Sequence, residues 1–511
     1  MNIFNQIQIK KPKSNLFDLS HERKLSFNMG ELVPIMLEEI VPGDNFKVSS
    51  EIFIRLAPML APIMHRVNVY THYFFVPNRI VWDDWKSFIT GGEDGTDTHV
   101  FPRLTISESR KTDFNKGKLS DYFGIPITDG ATIATDAQYI SALPYRAYAE
   151  IWNEYYRDQT LQEKIEYSKA SGLLDATEQL KLINIQTRAW EKDYFTSALP
   201  WPQRGADVTL PVQFNYKDSS EVFQAGGGAA SGALTASTPT NDLLADGVNA
   251  RIENLEENAT SVTINELRNA TRLQEWLEKN ARAGSRYIEQ ILSHFGVKSS
   301  DARLQRPEYL GGGKNPVVIS EVLNQAGEGP TGTQASLAPV GEMYGHGVSV
   351  GKNNAFRKSF EEHGYIIGIM SVLPRTTYQQ GIERLWSKTD KLDYYWPEFA
   401  HLGEQEILNK ELYLNWDSIS DGNNTFGYTP RYAEYKYKQS TVHGDFRDNL
   451  KYWHMGRTFD DAPALNEDFI KSDPTHDIFA VTDPTIDKLY CQVYNKVKAI
   501  RPMPYYGTPY L

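Results

Sequence analysis

The stretch "HRVNVYTHYFFVP", residues 65–77, alternates between two sets of side chains. One face would carry Val67, Val69, Thr71, Tyr73 and Phe75, and the other Asn68, Tyr70, His72 and Phe74. A period of two is typical of a β-strand, in which successive side chains point to opposite faces. The pattern therefore predicts a strand that ends at Pro77.

Three further stretches have the same character but lie far away in the chain. "EHGYIIGIMSVLP" (362–374) is apolar on both faces, and Gly364 and Gly368 leave room for close packing, which predicts a central strand. "KVSSEIFIRLAP" (47–58) and "KLYCQVYNKVKAIRP" (488–502) predict two more strands. The partners of these strands must be distant in sequence, so the strands favour one β-framework interrupted by large insertions.

Three helices are predicted within those insertions. "TINELRNATRLQEWLEKNARAG" (263–284) opens with a capping box, Thr263 and Glu266. "SRYIEQILSHFG" (285–296) should end at Gly296 in a left-handed cap, and "LPYRAYAEIWNEYYRDQ" (143–159) has Pro144 in its first turn.

Composition and charge exclude several classes of protein. The single cysteine, Cys491, allows no intrachain disulfide and is interpreted as a core residue. No signal-peptide h-region and no run of 18 apolar residues occurs, so we expect neither secretion by a signal peptide nor a membrane span. A net charge of -12 argues against a surface that wraps nucleic acid generally.

Any contact with nucleic acid should therefore be local. The candidate residues form one N-terminal basic cluster: Lys10, Lys11, Lys13, Arg23 and Lys24. The alternative is that this cluster is only a solvated tail.

No pattern for catalysis, a cofactor or a metal ion emerges. Gly327, Gly329 and Gly332 have the G-x-G-x-x-G spacing, but Pro330 lies within it and no strand-to-helix junction surrounds it. No H-E-x-x-H or C-x-x-C pair occurs. Two carboxylates across a cleft, from acidic residues such as Glu404, Glu406, Asp445 and Asp448, could hydrolyse a glycoside, so a carbohydrate-binding or hydrolysing β-sandwich remains the alternative function.

Several longer stretches resemble the major capsid proteins of the Microviridae, in particular those of the gokushovirus branch. They are "ALPWPQRGADVTLPV" (198–212), "ARLQRPEYLGGG" (302–313), "TYQQGIERLWSK" (377–388), "FAHLGEQEILNKELY" (399–413), "YAEYKYKQSTVHGDFR" (432–447) and the run from "SHERKLSFNMGELVP" to "VPNRIVWDDW" (20–85). The resemblance implies a mainly β protein, an eight-stranded antiparallel jelly roll with long loop and helical insertions. It also implies a non-enzymatic role, self-assembly of roughly sixty copies into an icosahedral shell, and a place in the virion capsid after assembly in the bacterial host cytoplasm.

The same resemblance implies several partners. They are packaged circular single-stranded DNA, a small basic DNA-binding protein, a scaffolding protein, a pilot protein and a host surface receptor. Because large aromatic side chains are frequent at the centres of interfaces, we expect contacts between subunits at Trp82, Trp85, Trp386, Trp396 and Trp453. The alternative for each tryptophan is packing in the core of the subunit.

The stretch "QAGGGAASGALTASTPTNDLLADGV", residues 224–248, has few bulky side chains. Capsid proteins of the gokushovirus branch carry a variable insertion that protrudes at the threefold axes. We therefore expect residues 1–511 to form one decorated jelly-roll domain, with a surface protrusion at 213–262 and a helical insertion at 263–296. The expected tip comprises Gly226, Gly227, Gly228, Ser231 and Gly232. The alternative, a linker between two domains, fits less well because strands on both sides of the tract look like parts of one sandwich.

Overall fold

The computed structural model describes residues 13–133, 138–209, 214–215, 223–224, 228–229, 258–259, 263–323, 341–418 and 422–506. The strands are β1 (Asn15–Asp18), β2 (His21–Phe27), β3 (Val33–Ile40), β4 (Asn45–Leu56), β5 (Val67–Pro77), β6 (Arg103–Ile106), β7 (Gln138–Ser141), β8 (Phe214–Asn215), β9 (Phe223–Gln224), β10 (Gly228–Ala229), β11 (Asn258–Ala259), β12 (Glu308–Pro316), β13 (Val318–Leu323), β14 (Met343–Ser359), β15 (Gly364–Pro374), β16 (Glu404–Leu408), β17 (Thr425–Pro430) and β18 (Leu489–Arg501). The α-helices are α1 (Asn78–Val81), α2 (Trp85–Thr90), α3 (Leu119–Phe123), α4 (Leu143–Ile151), α5 (Ala176–Ile183), α6 (Ile264–Ala283), α7 (Tyr287–Phe295), α8 (Asn409–Leu412) and α9 (Glu467–Ile470).

Two antiparallel sheets form the framework. The larger sheet has the order β1-β18-β4-β14-β13, and β2 also pairs with β18; the smaller sheet has the order β12-β5-β15-β3. Within them, β2-β18-β4-β14 and β3-β15-β5-β12 are two four-stranded sets whose neighbours are distant in sequence, as in a jelly roll. The predicted mainly β fold with helical insertions is confirmed. The number of eight strands stays a prediction, since β1 and β13 extend the larger sheet at its edges.

The core between the sheets follows from the alternation in the strands. Ile52 and Ile54 of β4 join Cys491 and Val493 of β18 and Val69 of β5 in one buried apolar cluster. Burying each large aliphatic side chain stabilises the fold by about 1.5–3 kcal/mol relative to leaving it in water. Cys491 is the predicted core residue, and burial raises the pKa of its thiol.

The smaller sheet is buried on both faces. The side chains of Phe74 and Ile367 point away from the larger sheet and pack in a second cluster with Tyr148 and Ile151 of α4. This packing explains the continuous apolar run of β15, which pairs with β5 on one side and β3 on the other. The prediction that β15 is a central strand is confirmed.

The larger sheet is buried on one face only, because alternate side chains of β4 and β18 are exposed to solvent. The exposed positions are Lys47, Glu51, Phe53 and Arg55 on β4, and Tyr490, Gln492, Tyr494, Lys496, Lys498 and Ile500 on β18. One face of this sheet is therefore in the core, and the other is available to a partner.

The long connection from β15 to β18, residues 375–488, has a core of its own. Tyr378, Ile407 and Phe426 from this connection pack with Tyr194 and Phe195 in an apolar cluster. The hairpin of β16 and β17 and several single 3₁₀ turns surround it.

The chain divides into two compact units. One consists of Met1–Pro202 with Gly284–Leu511 and the other of Gln203–Ala283. In the second unit, β8 pairs with β11, β9 pairs with β10, and α6 begins with the predicted capping box. In that box Thr263 N donates to Glu266 Oε2 over 2.8 Å, and Glu266 N donates to Thr263 Oγ1 over 3.2 Å.

The other two predicted helices belong to the first unit. Helix α7 ends before Gly296, which has a left-handed conformation, and α4 continues into one π-helical turn, Trp152–Tyr156.

Candidate assembly surface

An exposed aromatic surface lies at the start of the connection from β15 to β18. It is built on three single turns of 3₁₀ helix, Arg384–Ser387, Lys391–Asp393 and Pro397–Phe399. Its exposed side chains, which we name the tryptophan patch, are Leu385, Trp386, Leu392, Tyr394, Tyr395 and Trp396. Trp386 is 76% exposed and Trp396 is 46% exposed. Large apolar side chains grouped in this way mark a surface that contacts another molecule.

Hydrogen bonds and aromatic packing fix the shape of the tryptophan patch. The indole N–H of Trp396 donates to the carbonyl oxygen of Lys391 over 2.8 Å, and the backbone N–H of Trp396 donates to Tyr432 Oη over 3.3 Å. The ring of Tyr395 lies edge-on to the ring of Tyr432, with centroids 5.0 Å apart. Trp396 and Tyr395 are therefore held in place within the subunit, before any partner binds.

Buried ion pairs support the patch from below. The side chain of Lys388 is only 4% exposed; its Nζ lies 3.3 Å from Glu434 Oε1 and 3.9 Å from the centre of the Tyr435 ring. Arg384 Nη1 lies 3.3 Å from Glu411 Oε1, and Tyr194 Oη donates to Glu411 Oε2 over 2.9 Å. Burial raises the pKa of Glu411, while the charge of Arg384 opposes that rise.

A cavity of about 380 Å³ adjoins these pairs. Aromatic rings, among them those of Tyr194, Phe195 and Tyr435, line it together with the Lys388 and Glu411 side chains. Both of these charges already have partners, Lys388 with Glu434 and Glu411 with Arg384.

The predicted interface tryptophans occupy different environments. Trp386 and Trp396 lie in the patch, whereas Trp82 is 1% exposed and donates from its indole N–H to Ser171 Oγ. Trp85 packs on Trp82 with ring centroids 5.8 Å apart, and Trp453 is half-buried. Two of the five residues, Trp386 and Trp396, are therefore exposed in neighbouring turns of the chain. Their role in contacts between subunits stays a prediction.

The residues of the predicted basic cluster do not share one surface, because successive side chains of β2 point to opposite sides of the sheet. Lys24 is exposed, but Arg23 points to the other side of the strand, where its Nη1 donates to the carbonyl oxygen of Tyr122 over 2.9 Å. Lys13 is exposed immediately before β1, and Lys10 and Lys11 lie outside the described residues.

The carboxylates considered for catalysis lie on separate elements of the described chain. Glu404 and Glu406 lie on β16, and Asp445 and Asp448 lie in and beside a 3₁₀ turn. Gly327, Gly329 and Gly332 are outside the described residues. Among residues that are described, no group of three or more His, Cys, Asp or Glu side chains is placed to hold a metal ion, and no helix combines the length and apolarity needed to cross a membrane.

Comparison with known proteins distinguishes a capsid protein from a carbohydrate-binding or hydrolysing β-sandwich. The sequence profile of the phage family described as "Capsid protein (F protein)" matches residues 5–511. The chain belongs to this family. It is 36% identical to capsid protein VP1 of Chlamydia phage 1, over 99% of this chain and 97% of that protein. It is also 36% identical to capsid protein VP1 of Bdellovibrio phage phiMH2K and 31% identical to that of Spiroplasma virus 4, over at least 95% of every chain compared.

Membership in this family confirms the predicted resemblance and gives the protein its role. It is a major capsid protein, and its place is the virion capsid. Since a capsid protein acts through contacts with other molecules, its exposed surfaces are its functional sites. The family indicates a structural role, which favours it over the carbohydrate-binding or hydrolysing alternative.

Proposed function

We propose that this capsid protein assembles into a closed icosahedral shell of roughly sixty copies around circular single-stranded DNA. The observation that carries the proposal is the tryptophan patch, an ordered surface of two tryptophans and two tyrosines that the isolated subunit leaves exposed. Trp and Tyr are the residues most enriched among those that dominate the energy of protein–protein contacts. A second copy of the chain is the partner that would cover the patch.

The rigidity of the patch supports this role. Association loses about 0.5–1.5 kcal/mol for each flexible side chain that it immobilises. Trp396 is already held by two hydrogen bonds, and Lys388, which lies near the Tyr394 ring, is held by an ion pair. A preformed surface therefore loses less side-chain entropy when a partner binds, and its affinity for that partner is higher.

We further propose that residues 213–262 form a protrusion at the threefold axes of the shell, with its tip near Gly228. The pairing of β8 with β11 supports this, because it joins the two ends of the segment 216–257 as the ends of an excursion would be joined. Strands β5 and β15, which precede and follow the segment, pair in one sheet. Two independent domains joined by a linker would not share a sheet in this way.

Gly226, Gly227, Ser231 and Gly232 lie outside the described residues, and Gly228 begins β10. The support is compositional: small side chains bury little and suit an exposed, variable loop. The proposed helical insertion at 263–296 contains α6 and α7, and the boundary between the two compact units falls between these helices.

Charge supports a basic partner inside the shell. Each subunit has a net charge of -12, so a shell of many copies would repel packaged DNA at low salt unless cations offset that charge. We propose that a small basic DNA-binding protein supplies part of the offset. By the resemblance described above, a scaffolding protein, a pilot protein and a host surface receptor complete the set of partners, and assembly takes place in the cytoplasm of the bacterial host.

Sedimentation velocity tests the proposed assembly. The purified wild-type chain should form a rapidly sedimenting species, and the double variant Trp386→Ser/Trp396→Ser should reduce its yield at least about tenfold, since loss of a hot-spot residue costs about 2 kcal/mol or more. Trp416→Ser is the matched control, because Trp416 is 77% exposed but lies outside the patch. Equal yields from the double variant and the wild type would remove the patch from the proposed contact.

A further inference from the structure

The outer face of the larger sheet is basic although the chain as a whole is acidic. Its exposed charged side chains, with the aromatic rings among them, form what we name the basic sheet face: Lys24, Lys47, Arg55, Lys352, Arg357, Lys496 and Lys498, with Asp18, Glu22 and Glu51, and with Phe53, Tyr490 and Tyr494. Seven basic side chains against three acidic ones give this face a positive charge, in a chain whose net charge is -12.

Three basic residues stand in one row across neighbouring strands of this face. Lys47 of β4 is the direct partner of Lys498 of β18 and also of Arg357 of β14. Adjacent strands are about 4.8 Å apart, and like charges directly opposite each other destabilise a sheet. Asp18 on β1 is opposite Lys498 at one end of the row only. Within the described residues, neither Lys47 nor Arg357 forms a salt bridge, so the row keeps unneutralised positive charge.

Aromatic side chains lie further along the same face of the sheet. Tyr494 of β18 is the partner of Glu51, and one pair further along Gln492 is the partner of Phe53. Arg55 reaches over the Phe53 ring, with its guanidinium carbon 5.3 Å from the ring centre. Both Phe53 and Tyr494 present more than a third of their surface to solvent.

We infer that the basic sheet face is a platform for single-stranded nucleic acid and that it faces the interior of the shell. Proteins that bind single strands without sequence preference combine cations that follow the backbone with aromatic rings on which bases stack. An antiparallel sheet with solvent-facing rings and cations provides both. The repelling row of Lys47, Lys498 and Arg357 is relieved when phosphates bind between the charges. This inference rests on the proposed function, because it names the surface of the subunit that contacts the enclosed strand.

The test uses the purified full-length chain as unassembled subunits and a fluorescently labelled oligothymidylate. Fluorescence anisotropy at a series of salt concentrations gives Kd and its dependence on salt. We expect Lys47→Gln/Lys498→Gln to weaken binding about tenfold at low salt and to reduce the slope of log K against log salt by about 1.4, the value for two lost phosphate contacts on a single strand. Lys164→Gln/Lys181→Gln is the matched control: both lysines are exposed outside the basic sheet face, and the change in net charge is identical.

A second variant separates stacking from charge. Phe53→Ser/Tyr494→Ser should weaken oligothymidylate binding about tenfold or more, since each stacked base contributes about 1–3 kcal/mol. It should leave the salt slope unchanged and leave binding to duplex DNA of the same length unaffected. All of these substitutions are at exposed positions, so the melting temperature should stay close to that of the wild type.

Three results would overturn the inference. Equal losses in the lysine pair on the face and in the control pair would mean that net charge alone matters. Unchanged affinity in both face variants would mean that DNA binds elsewhere. Displacement of oligothymidylate by polyglutamate, together with no effect of Phe53→Ser/Tyr494→Ser, would identify an acidic protein segment as the partner. Electron microscopy of the same chains under assembly conditions keeps the two proposals apart: shells that form while affinity is unchanged refute the platform alone, whereas a wild type that forms no shell with or without scaffolding protein refutes the proposed assembly.

Discussion

Lys47 and Lys498 are direct partners in the pairing of β4 with β18, and both side chains are exposed on the same face of the larger sheet. Opposite charges, or one charged and one neutral side chain, would stabilise this pairing better. The arrangement therefore weakens the isolated subunit slightly and favours a state in which an anion lies between the two amines.

Removing one of these charges should make the isolated subunit more stable. We expect Lys47→Gln to raise the free energy of unfolding by about 0.5 kcal/mol at low salt, because it ends the repulsion from Lys498 and Arg357. High salt should diminish the gain, since these charges are exposed and therefore screened. Urea denaturation at two salt concentrations measures both effects. A loss of stability at low salt would show that Lys47 makes favourable contacts instead.

The subunit should lose stability in mild acid partly through His72. Burial, with a smaller effect of the Arg188 charge, lowers the pKa of His72 from 6.5 to about 4. Between these two values the unfolded state binds more protons than the folded state, so stability is full above pH 6.5 and falls as the pH decreases towards 4. We expect this group to account for up to about 3 kcal/mol of the loss.

His72→Phe tests that contribution while keeping a ring among Phe74, Tyr156 and Tyr309. The variant loses the 2.8 Å hydrogen bond between Nδ1 and Tyr156 Oη, so its stability at pH 7 should fall, but its dependence on pH between 6.5 and 4 should flatten. His401→Gln, a change at an exposed histidine, serves as the control. If urea midpoints of His72→Phe and the wild type fall in parallel with pH, another group is responsible.

Gly364 and Gly368 should not tolerate a methyl group. A Cβ at Gly364 would lie 2.4 Å from the carbonyl oxygen of Val76, and one at Gly368 would lie 2.9 Å from Cε1 of Tyr73. We expect either alanine variant to destabilise the subunit by about 1–3 kcal/mol. Gly364→Ala should be the worse, because a backbone oxygen in a strand cannot move aside as a ring can. Thermal unfolding of the two variants gives the order, and equal melting temperatures for both variants and the wild type would contradict this packing.

Removing one partner of the ion pair between Lys388 and Glu434 should destabilise the subunit. Lys388→Met leaves the carboxylate of Glu434, whose side chain is 13% exposed, without its partner, and we expect a loss of about 3 kcal/mol. Lys388→Met/Glu434→Leu should recover most of that loss, because two apolar side chains need no compensating charge. Denaturant unfolding of the single and double variants measures the coupling. A double variant as unstable as the single one would mean that Lys388 stabilises the subunit in another way.

Period-two alternation predicted the strands well, because alternate side chains of a strand face the core and the solvent. The stretches at 47–58, 65–77, 362–374 and 488–502 all became strands of the two sheets, and the doubly apolar stretch became the central strand. Capping residues and glycine likewise predicted the helix that starts after Thr263 and the one that ends before Gly296.

Surfaces built from distant strands could not be predicted in the same way. Lys47, Arg357 and Lys498 become neighbours only through the register of three strands, and register depends on tertiary packing. The alternation of "HERKLSF" did contain one usable signal, since it places Arg23 and Lys24 on opposite sides of β2. Trp82 and Trp386 are both preceded by an apolar residue, and only the fold buries one and exposes the other.

The mass of the particle that the purified chain forms is the most direct test of assembly into a closed shell. Native mass spectrometry or mass photometry should find one discrete species near 3.5 MDa, about sixty copies of a 58.1 kDa chain, before any nucleic acid is added. Stable 58.1 kDa monomers under every condition of salt and scaffolding protein, or open sheets with no defined mass, would contradict the assembly proposed for this capsid protein.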